Sequence, residues 1–145
     1  MPPFSIHPQL RADCHPLGRF RRCRLLLHKN ALLPWFILVP ETEATSLFDL
    51  EEEGRREVLA ECAAVARLLR EALGFSRINF AAIGNLVPQL HLHLIGRREG
   101  DPCWPLPVWG HLRESSPYPL QRIEELKALL IEECGLRPEP EGNRP

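Results

Sequence analysis

The sequence predicts an α+β fold in which helices cover one antiparallel β-sheet. Four short segments rich in β-compatible residues occur as two pairs, and each pair is joined by a connection short enough for an antiparallel hairpin. Two longer segments, one between the pairs and one after them, carry hydrophobic residues every three or four positions, which is the helical period. A doubly wound parallel sheet would need more regular alternation of strands and helices.

The strand pairs are expected to form two hairpins. The four predicted strands are Phe20–His28, Trp35–Val39, Arg77–Ile83 and Val87–Arg97. The first pair is connected by Lys29–Pro34, and the second pair turns through Gly84 and Asn85.

Two amphipathic helices are predicted, at residues 50–73 and 119–134. The longer helix is preceded by Asp49 with an acidic residue three positions later, a capping pattern, and is followed by Gly74. The second begins after Pro119 and ends before a glycine. It is the last element of the predicted sheet-and-helix domain.

Composition narrows the class of protein. With 44% hydrophobic and 26% charged residues, the 145-residue chain is expected to fold as one domain over residues 1–135, while the proline-rich, charged tail, residues 136–145, is expected to be loose. The net charge of -1 gives no bulk attraction for a nucleic-acid polymer or an anionic membrane. An anionic ligand would have to be held locally.

The expected location is the cytoplasm. The amino terminus has no basic region followed by an apolar segment, as a secretory signal would, and the longest apolar stretch, residues 31–40, is interrupted by Pro34 and is too short to cross a bilayer. Five cysteines form no Cys-x-x-Cys pair, which favours free thiols in a reducing compartment.

The segment Val87–Arg97 carries the candidate chemistry. On a strand, its alternation places Gln89, His91 and His93 on one face and three leucines on the other. Side chains two positions apart lie about 6.6 Å apart, so both imidazoles could engage one phosphate or one metal ion.

Three interpretations of this strand remain open on spacing alone. The pair can be the polar face of a half-exposed strand, a zinc site, or a nucleophile with a phosphate-binding partner. A zinc site would need a third ligand such as His28, Cys23 or Asp101, and no motif predicts which.

The run Gln-φ-His-φ-His-φ-φ resembles the motif of the histidine-triad (HIT) family of nucleotide hydrolases and transferases, His-φ-His-φ-His-φ-φ, with Gln89 at the first position. Three further stretches strengthen the resemblance to short bacterial members. They are Pro-Trp-Phe-Ile-Leu-Val-Pro from residue 34, Gly-Asn-Leu-Val-Pro-Gln from residue 84, and Trp-Pro-Leu-Pro-Val-Trp-Gly from residue 104. The resemblance covers residues 20–110.

The resemblance implies a HIT-like antiparallel sheet with a long helix packed on it, and two copies of the chain paired into a homodimer. It also implies a catalytic mechanism. His91 would attack the α-phosphorus of a nucleotide conjugate, such as a dinucleoside polyphosphate, and form a nucleotidyl-histidine. His93 would bind the non-bridging oxygens. Neutral imidazole is a good nucleophile near pH 7 and a good leaving group, so this covalent step needs no metal and no cofactor.

The resemblance also implies nucleotide-binding roles for five residues. Asn30 matches a position that binds ribose hydroxyls, and Asn79 lies near one that orients the nucleotide. Gly84 and Asn85 could present backbone N–H groups to a phosphate, and Trp104 belongs to a segment that closes the active site. The plain structural alternative is a turn asparagine at position 30 and a hairpin turn at residues 84–85.

Two departures from the family bear on turnover. Gln89 cannot exchange a proton near neutral pH, and Trp35, which occupies a place where many members carry a histidine, is expected only to fill core volume. The alternative function is therefore a nucleotide-binding regulatory protein with little turnover. The remaining histidines are expected to be ordinary surface residues; they are His7, His15, His28 and His111.

Overall fold

The computed structural model describes residues 3–139, and in that range the strands form a five-stranded antiparallel sheet in the order β1-β2-β3-β5-β4. The strands are β1 (Cys14–Arg19), β2 (Cys23–His28), β3 (Trp35–Pro40), β4 (Arg77–Ala81) and β5 (Leu92–Arg97). Every neighbouring pair is antiparallel. The predicted α+β class is confirmed.

The two predicted helices form close to their expected bounds. The helices are α1 (Pro8–Asp13), α2 (Glu52–Arg67) and α3 (Leu120–Cys134). A π-helical turn, Leu68–Ala72, extends α2 to Gly74, whose φ of 78° ends it. Gly135 ends α3 with a φ of 70°. The expected capping box at Asp49 is not formed, because Asp49 ends a short 3-10 turn ahead of α2.

Helix α1 and strand β1 were not predicted from the sequence. Pro16 and Gly18 interrupt β1, and the pairing with β2 shifts register between them. Gly18 has a φ of 151°, and a Cβ there would collide with the carbonyl oxygen of Arg137. Because Pro16 and Gly18 disfavour a regular strand, the sequence did not predict β1, and the sheet accommodates them with a bulge.

Strand β5 begins at Leu92, five residues later than predicted. Pro88 cannot donate a hydrogen bond to a ladder, and the side chain of Gln89 binds the backbone of the amino-terminal segment. The alternation nevertheless continues through residues 87–91, since Leu90 and Leu92 lie in the core while His91 and His93 lie on the other face.

The expected loose tail is wrong for residues 136–139. Leu136 is buried in the core, and Arg137 exchanges two backbone hydrogen bonds with Arg19, at 2.8 and 2.9 Å. Glu139 forms an ion pair with Arg24 at 3.2 Å. The rest of the predicted tail, residues 140–145, lies outside the described residues.

Each face of the sheet has its own hydrophobic cluster. One cluster packs α2 and α3 against the sheet through residues such as Val65, Leu92 and Leu126. The other lies on the opposite face, where Leu10 of α1 and Val108 cover the sheet. No helix within residues 3–139 is long and apolar enough to cross a membrane.

Candidate functional site

A cleft of about 890 Å³ opens on the sheet face opposite the two long helices. Its aromatic side chains come from four places in the sequence: the amino-terminal segment, the central strands, the approach to β5, and the loop before α3. They are the imidazoles of His7, His28, His91 and His93 and the indoles of Trp35 and Trp109. The structure thus brings His91 and His93 together, as the alternation predicted.

His91 and His93 are buried neighbours whose ring centroids lie 4.9 Å apart. His91 Nδ1 is 2.7 Å from the backbone carbonyl oxygen of Gln89. A carbonyl oxygen can only accept a hydrogen bond, so Nδ1 carries the proton. In neutral His91 the other nitrogen, Nε2, then has a free lone pair and can act as a nucleophile.

His93 has the opposite tautomer. Its Nδ1 accepts a hydrogen bond from the indole Nε1–H of Trp35 at 3.0 Å, and because an indole can only donate, the proton of neutral His93 lies on Nε2. Burial, together with the nearby imidazoles of His91 and His28, lowers the pKa of His93 to about 3. His93 is therefore a neutral hydrogen-bond donor at physiological pH.

Trp35 does more than fill core volume, which corrects the expectation from sequence. It donates to His93, and its ring stacks on His28 with centroids 4.1 Å apart and nearly parallel planes. Trp109 contacts both Trp35 and His93 edge-on, at 5.9 and 5.0 Å. Burial also lowers the pKa of His28. The indole stands where the family resemblance places a histidine and acts there as a fixed donor.

The amino-terminal segment is a part of the site that sequence reasoning missed. His7, at the start of α1, and His28 were expected to be ordinary surface residues, yet both line the cleft. The Gln89 side chain binds this segment: Oε1 accepts from the backbone N–H of His7 at 2.8 Å, and Nε2 donates to the carbonyl of Ser5 at 2.9 Å. Pro8 at the first helical position was the signal that could have located α1.

The predicted turn residues are only partly at the cleft. Asn85 lines it, while Gly84 lies in an adjoining cavity of about 390 Å³ that also touches Gln89 and His91. Asn30 does not line the cleft. Its Oδ1 accepts from the backbone N–H of Leu32 at 3.1 Å and its Nδ2 donates to the carbonyl of Glu114 at 2.9 Å, so both ends of its amide hold the hairpin and a neighbouring loop together.

Asn79 and Trp104 lie away from the cleft, around the buried guanidinium of Arg97. Arg97 donates to Asp101 at 2.7 and 3.0 Å and to Oδ1 of Asn79 at 2.9 Å, and its guanidinium lies 5.8 Å from the centre of the Trp104 ring. Burial opposes ionisation of Asp101, but hydrogen bonds from Arg97, Cys103 and Arg98 outweigh it and lower its pKa. The cluster fixes the chain after β5, and Trp109 rather than Trp104 reaches the cleft.

The residues that the structure describes contain no group of three histidine, cysteine, aspartate or glutamate side chains placed to hold a metal ion. Of the third zinc ligands that the sequence left open, His28 lines the same cleft but is not placed to complete a metal site with the histidine pair, and Cys23 and Asp101 do not line the cleft. All five cysteines are free thiols.

Comparison with known proteins agrees with the family resemblance of the sequence. A family model described as HIT domain matches residues 9–100. Solved structures of three bacterial histidine triad proteins are similar over most of the chain. They come from Marinobacter aquaeolei VT8 (40% identity, TM-score 0.84, 92% of this chain and 98% of that chain), Bradyrhizobium japonicum (35%, 0.85, 91% and 98%) and Sinorhizobium meliloti 1021 (37%, 0.84, 90% and 96%). Curated protein sequences gave no match.

Proposed function

Because the chain belongs to the HIT domain family, we propose that it hydrolyses or transfers the nucleoside monophosphate group of a nucleotide conjugate, such as a dinucleoside polyphosphate. The observation that carries this proposal is the pair of opposite tautomers. His91 offers a lone pair at Nε2, and His93, 4.9 Å away between ring centroids, offers an N–H at Nε2. An attacking atom beside a hydrogen-bond donor is what substitution at phosphorus requires.

In the first step, His91 Nε2 attacks the α-phosphorus. A nitrogen–phosphorus bond forms, and the bond from phosphorus to the leaving oxygen breaks with its electron pair staying on the departing phosphate. The imidazole becomes positively charged, and the Gln89 carbonyl, 2.7 Å from Nδ1, accepts from the N–H that carries this charge. His93 Nε2–H donates to a non-bridging oxygen, where negative charge builds up.

In the second step, water attacks the same phosphorus and the imidazole of His91 leaves with its electron pair. The water proton is released, and the products are a nucleoside monophosphate and the original enzyme. A different acceptor in place of water would give transfer instead of hydrolysis. A protonated imidazole at His93 would be the stronger donor, but burial keeps His93 neutral. Neutral His93 therefore orients the phosphate as well as stabilising the negative charge on its oxygen.

The polar groups of the cleft favour weakly basic leaving groups. A phosphate chain departs as a stable anion, whereas an amine leaving from a phosphoramidate must gain a proton as its bond breaks. The Gln89 amide cannot supply that proton, and His93 is neutral. We therefore expect dinucleoside polyphosphates to be better substrates than adenylated amines.

The direct test is incubation with diadenosine tetraphosphate and, separately, with an adenylated amine, followed by chromatography of the products. The proposal expects AMP release by the wild-type chain, faster from the polyphosphate, and none by His91→Ala. Wild-type protein that binds AMP but releases none from either substrate would contradict the proposed activity.

A second candidate is a nucleotide-binding regulatory protein without turnover. The observation that favours it is the engagement of Gln89: the side chain at the first position of the motif binds the backbone of Ser5 and His7 and carries no titratable group. This second function predicts that AMP raises the melting temperature of the protein and that the assay above yields no product.

We also propose that the functional unit is a homodimer. Strand β4 is one of the two edges of the sheet, and within residues 3–139 no strand pairs with its outer side. Phe80, on this edge strand, is about half exposed. An edge strand leaves a row of backbone N–H and C=O groups unpaired, and a second copy of the chain could pair with them. The cytoplasmic location stays a prediction.

A further inference from the structure

We propose that Gln89 is a positioning residue that fastens the amino-terminal segment, residues 5–13, across the cleft and makes it one wall of the substrate pocket. We call this segment the strap. The inference rests on the proposed function and deepens it, because it assigns the first position of the motif to the protein's own backbone rather than to the substrate.

The Gln89 side-chain amide forms hydrogen bonds with the backbone of the strap, as a neighbouring β-strand would. Its Oε1 accepts from the N–H of His7 at 2.8 Å, and its Nε2 donates to the carbonyl of Ser5 at 2.9 Å. An amide carries its donor and acceptor side by side at one end, so it can satisfy both backbone groups at once. The donor and acceptor of a neutral imidazole lie on different sides of the ring, and a histidine at position 89 would lose one of the two bonds.

The strap is fixed beyond its middle as well. Leu10 is buried in the hydrophobic cluster on the cleft face of the sheet, and the carbonyl of Asp13 accepts from the backbone N–H of Lys29 at 2.9 Å. Just ahead of the strap, the Phe4 ring lies 5.6 Å from the guanidinium carbon of Arg24. Around Ser5–His7 the half-buried Ile6 packs against the same cluster, and Gln89 adds two hydrogen bonds to the backbone of this portion.

The strap presents polar groups to the cleft. The Nδ1 of His7 accepts from the backbone N–H of Gln9 at 3.1 Å, so neutral His7 carries its proton on Nε2 and can only donate from there. The Gln9 amide binds both carboxylate oxygens of Asp13, at 3.1 and 3.0 Å. A donor suits a phosphate oxygen of the leaving group, and a carboxylate suits the hydroxyls of a sugar.

A double-mutant cycle tests whether Gln89 acts through the strap. The four proteins are the wild type, Gln89→Ala, a chain lacking residues 2–7, and the combination, each assayed for kcat and KM with diadenosine tetraphosphate. We expect each single change to raise KM about tenfold with kcat within about threefold, and the combination to equal the truncation alone. Gln121→Ala, an exposed glutamine on α3, is the matched control and should match the wild type.

Two outcomes of the cycle overturn the inference. If Gln89→Ala lowers kcat in the truncated chain as much as in the full chain, Gln89 acts on the chemistry itself. If Gln89→Ala leaves KM unchanged, the strap is not a wall of the pocket.

A readout that does not need turnover separates this inference from the proposed function. In Gln89→Ala, hydrogen exchange at the His7 amide should accelerate at least tenfold, and calorimetry in a His91→Ala background should show about tenfold weaker binding of diadenosine tetraphosphate. Tight binding by a wild type that releases no AMP would remove the proposed activity and leave the strap. Unchanged exchange or unchanged affinity would overturn the strap whatever the activity.

Discussion

At the scale of single residues, the chemistry of the site depends on which nitrogen of each imidazole carries a proton. The Gln89 carbonyl fixes this for His91 and the Trp35 indole fixes it for His93. The first contact is local, but the second joins residues 58 positions apart. Strand alternation could therefore predict that the histidines share a face, whereas their complementary tautomers depend on the tertiary fold.

Trp35→Phe should impair turnover, because it keeps an aromatic ring against His28 but removes the donor to His93 Nδ1. The proton of His93 can then move from Nε2 to Nδ1, and the donor facing the phosphate is lost. We expect kcat for diadenosine tetraphosphate to fall at least tenfold. Trp109→Phe is the control, since Trp109 also contacts His93 with its ring. Equal effects of the two changes would show that the hydrogen bond does not matter.

Stability should depend on pH through His93. Its folded pKa is about 3 and an unfolded histidine titrates near 6.5, so between these values the unfolded chain binds more protons and stability falls as pH falls. His93→Asn keeps an acceptor for Trp35 and cannot titrate. Between pH 6.5 and 5 it should lose less free energy of unfolding than the wild type, by roughly 1–2 kcal/mol.

Urea unfolding at several pH values measures this difference, and His111→Asn, at an exposed histidine, is the control. Part of the acid dependence should remain in His93→Asn, because burial also lowers the pKa of His28. Parallel pH profiles for the wild type and His93→Asn would mean that His93 does not lose its proton affinity on folding.

At the scale of elements, Gly96 lets β5 approach the first hairpin closely. A Cβ there would lie 2.8 Å from the Phe75 ring and 2.9 Å from the Pro34 ring, and the backbone N–H of Gly96 donates to the Pro34 carbonyl at 2.9 Å. Gly96→Ala should destabilise the fold by about 1–3 kcal/mol in urea unfolding.

Gly54→Ala is the matched control for this substitution. Gly54 lies in the first turns of α2 with open space around its Cα, so alanine should stabilise the chain by about 0.5 kcal/mol. If Gly96→Ala were as stable as Gly54→Ala, the close packing of β5 on the first hairpin would not constrain this position.

The sequence predicted the elements whose pattern is periodic and missed those whose contacts are distant. Helices α2 and α3 and strands β2 and β3 follow from hydrophobic spacing, whereas β1 contains a bulge at Pro16 and Gly18. The strap was missed for a related reason: its bonds to Gln89 join residues more than 80 positions apart, and nothing in its own sequence marks them. Asn30, Asn79 and Trp104 were assigned by resemblance, but local hydrogen bonds and the Arg97 cluster hold them elsewhere.

At the scale of the whole molecule, the open edge of the sheet leads to a prediction of oligomeric state. Light scattering at micromolar concentration should give about twice the chain mass of 16.6 kDa. Phe80→Asp should shift the mass toward the monomer, because it places a charge on the exposed edge strand. Leu120→Asp is the control, at an exposed apolar residue on α3. A wild-type mass near 16.6 kDa would contradict the dimer.

The central claim is that His91 becomes covalently bonded to phosphorus during turnover. The most direct measurement mixes the enzyme with excess diadenosine tetraphosphate, quenches within the first turnover at alkaline pH, where a phosphorus–nitrogen bond survives, and determines the mass of the intact chain and its peptides. The account predicts one added adenylyl group on the peptide containing His91, and none in His91→Ala. Turnover by the wild type with no adduct, or with the adduct on another residue, would contradict it.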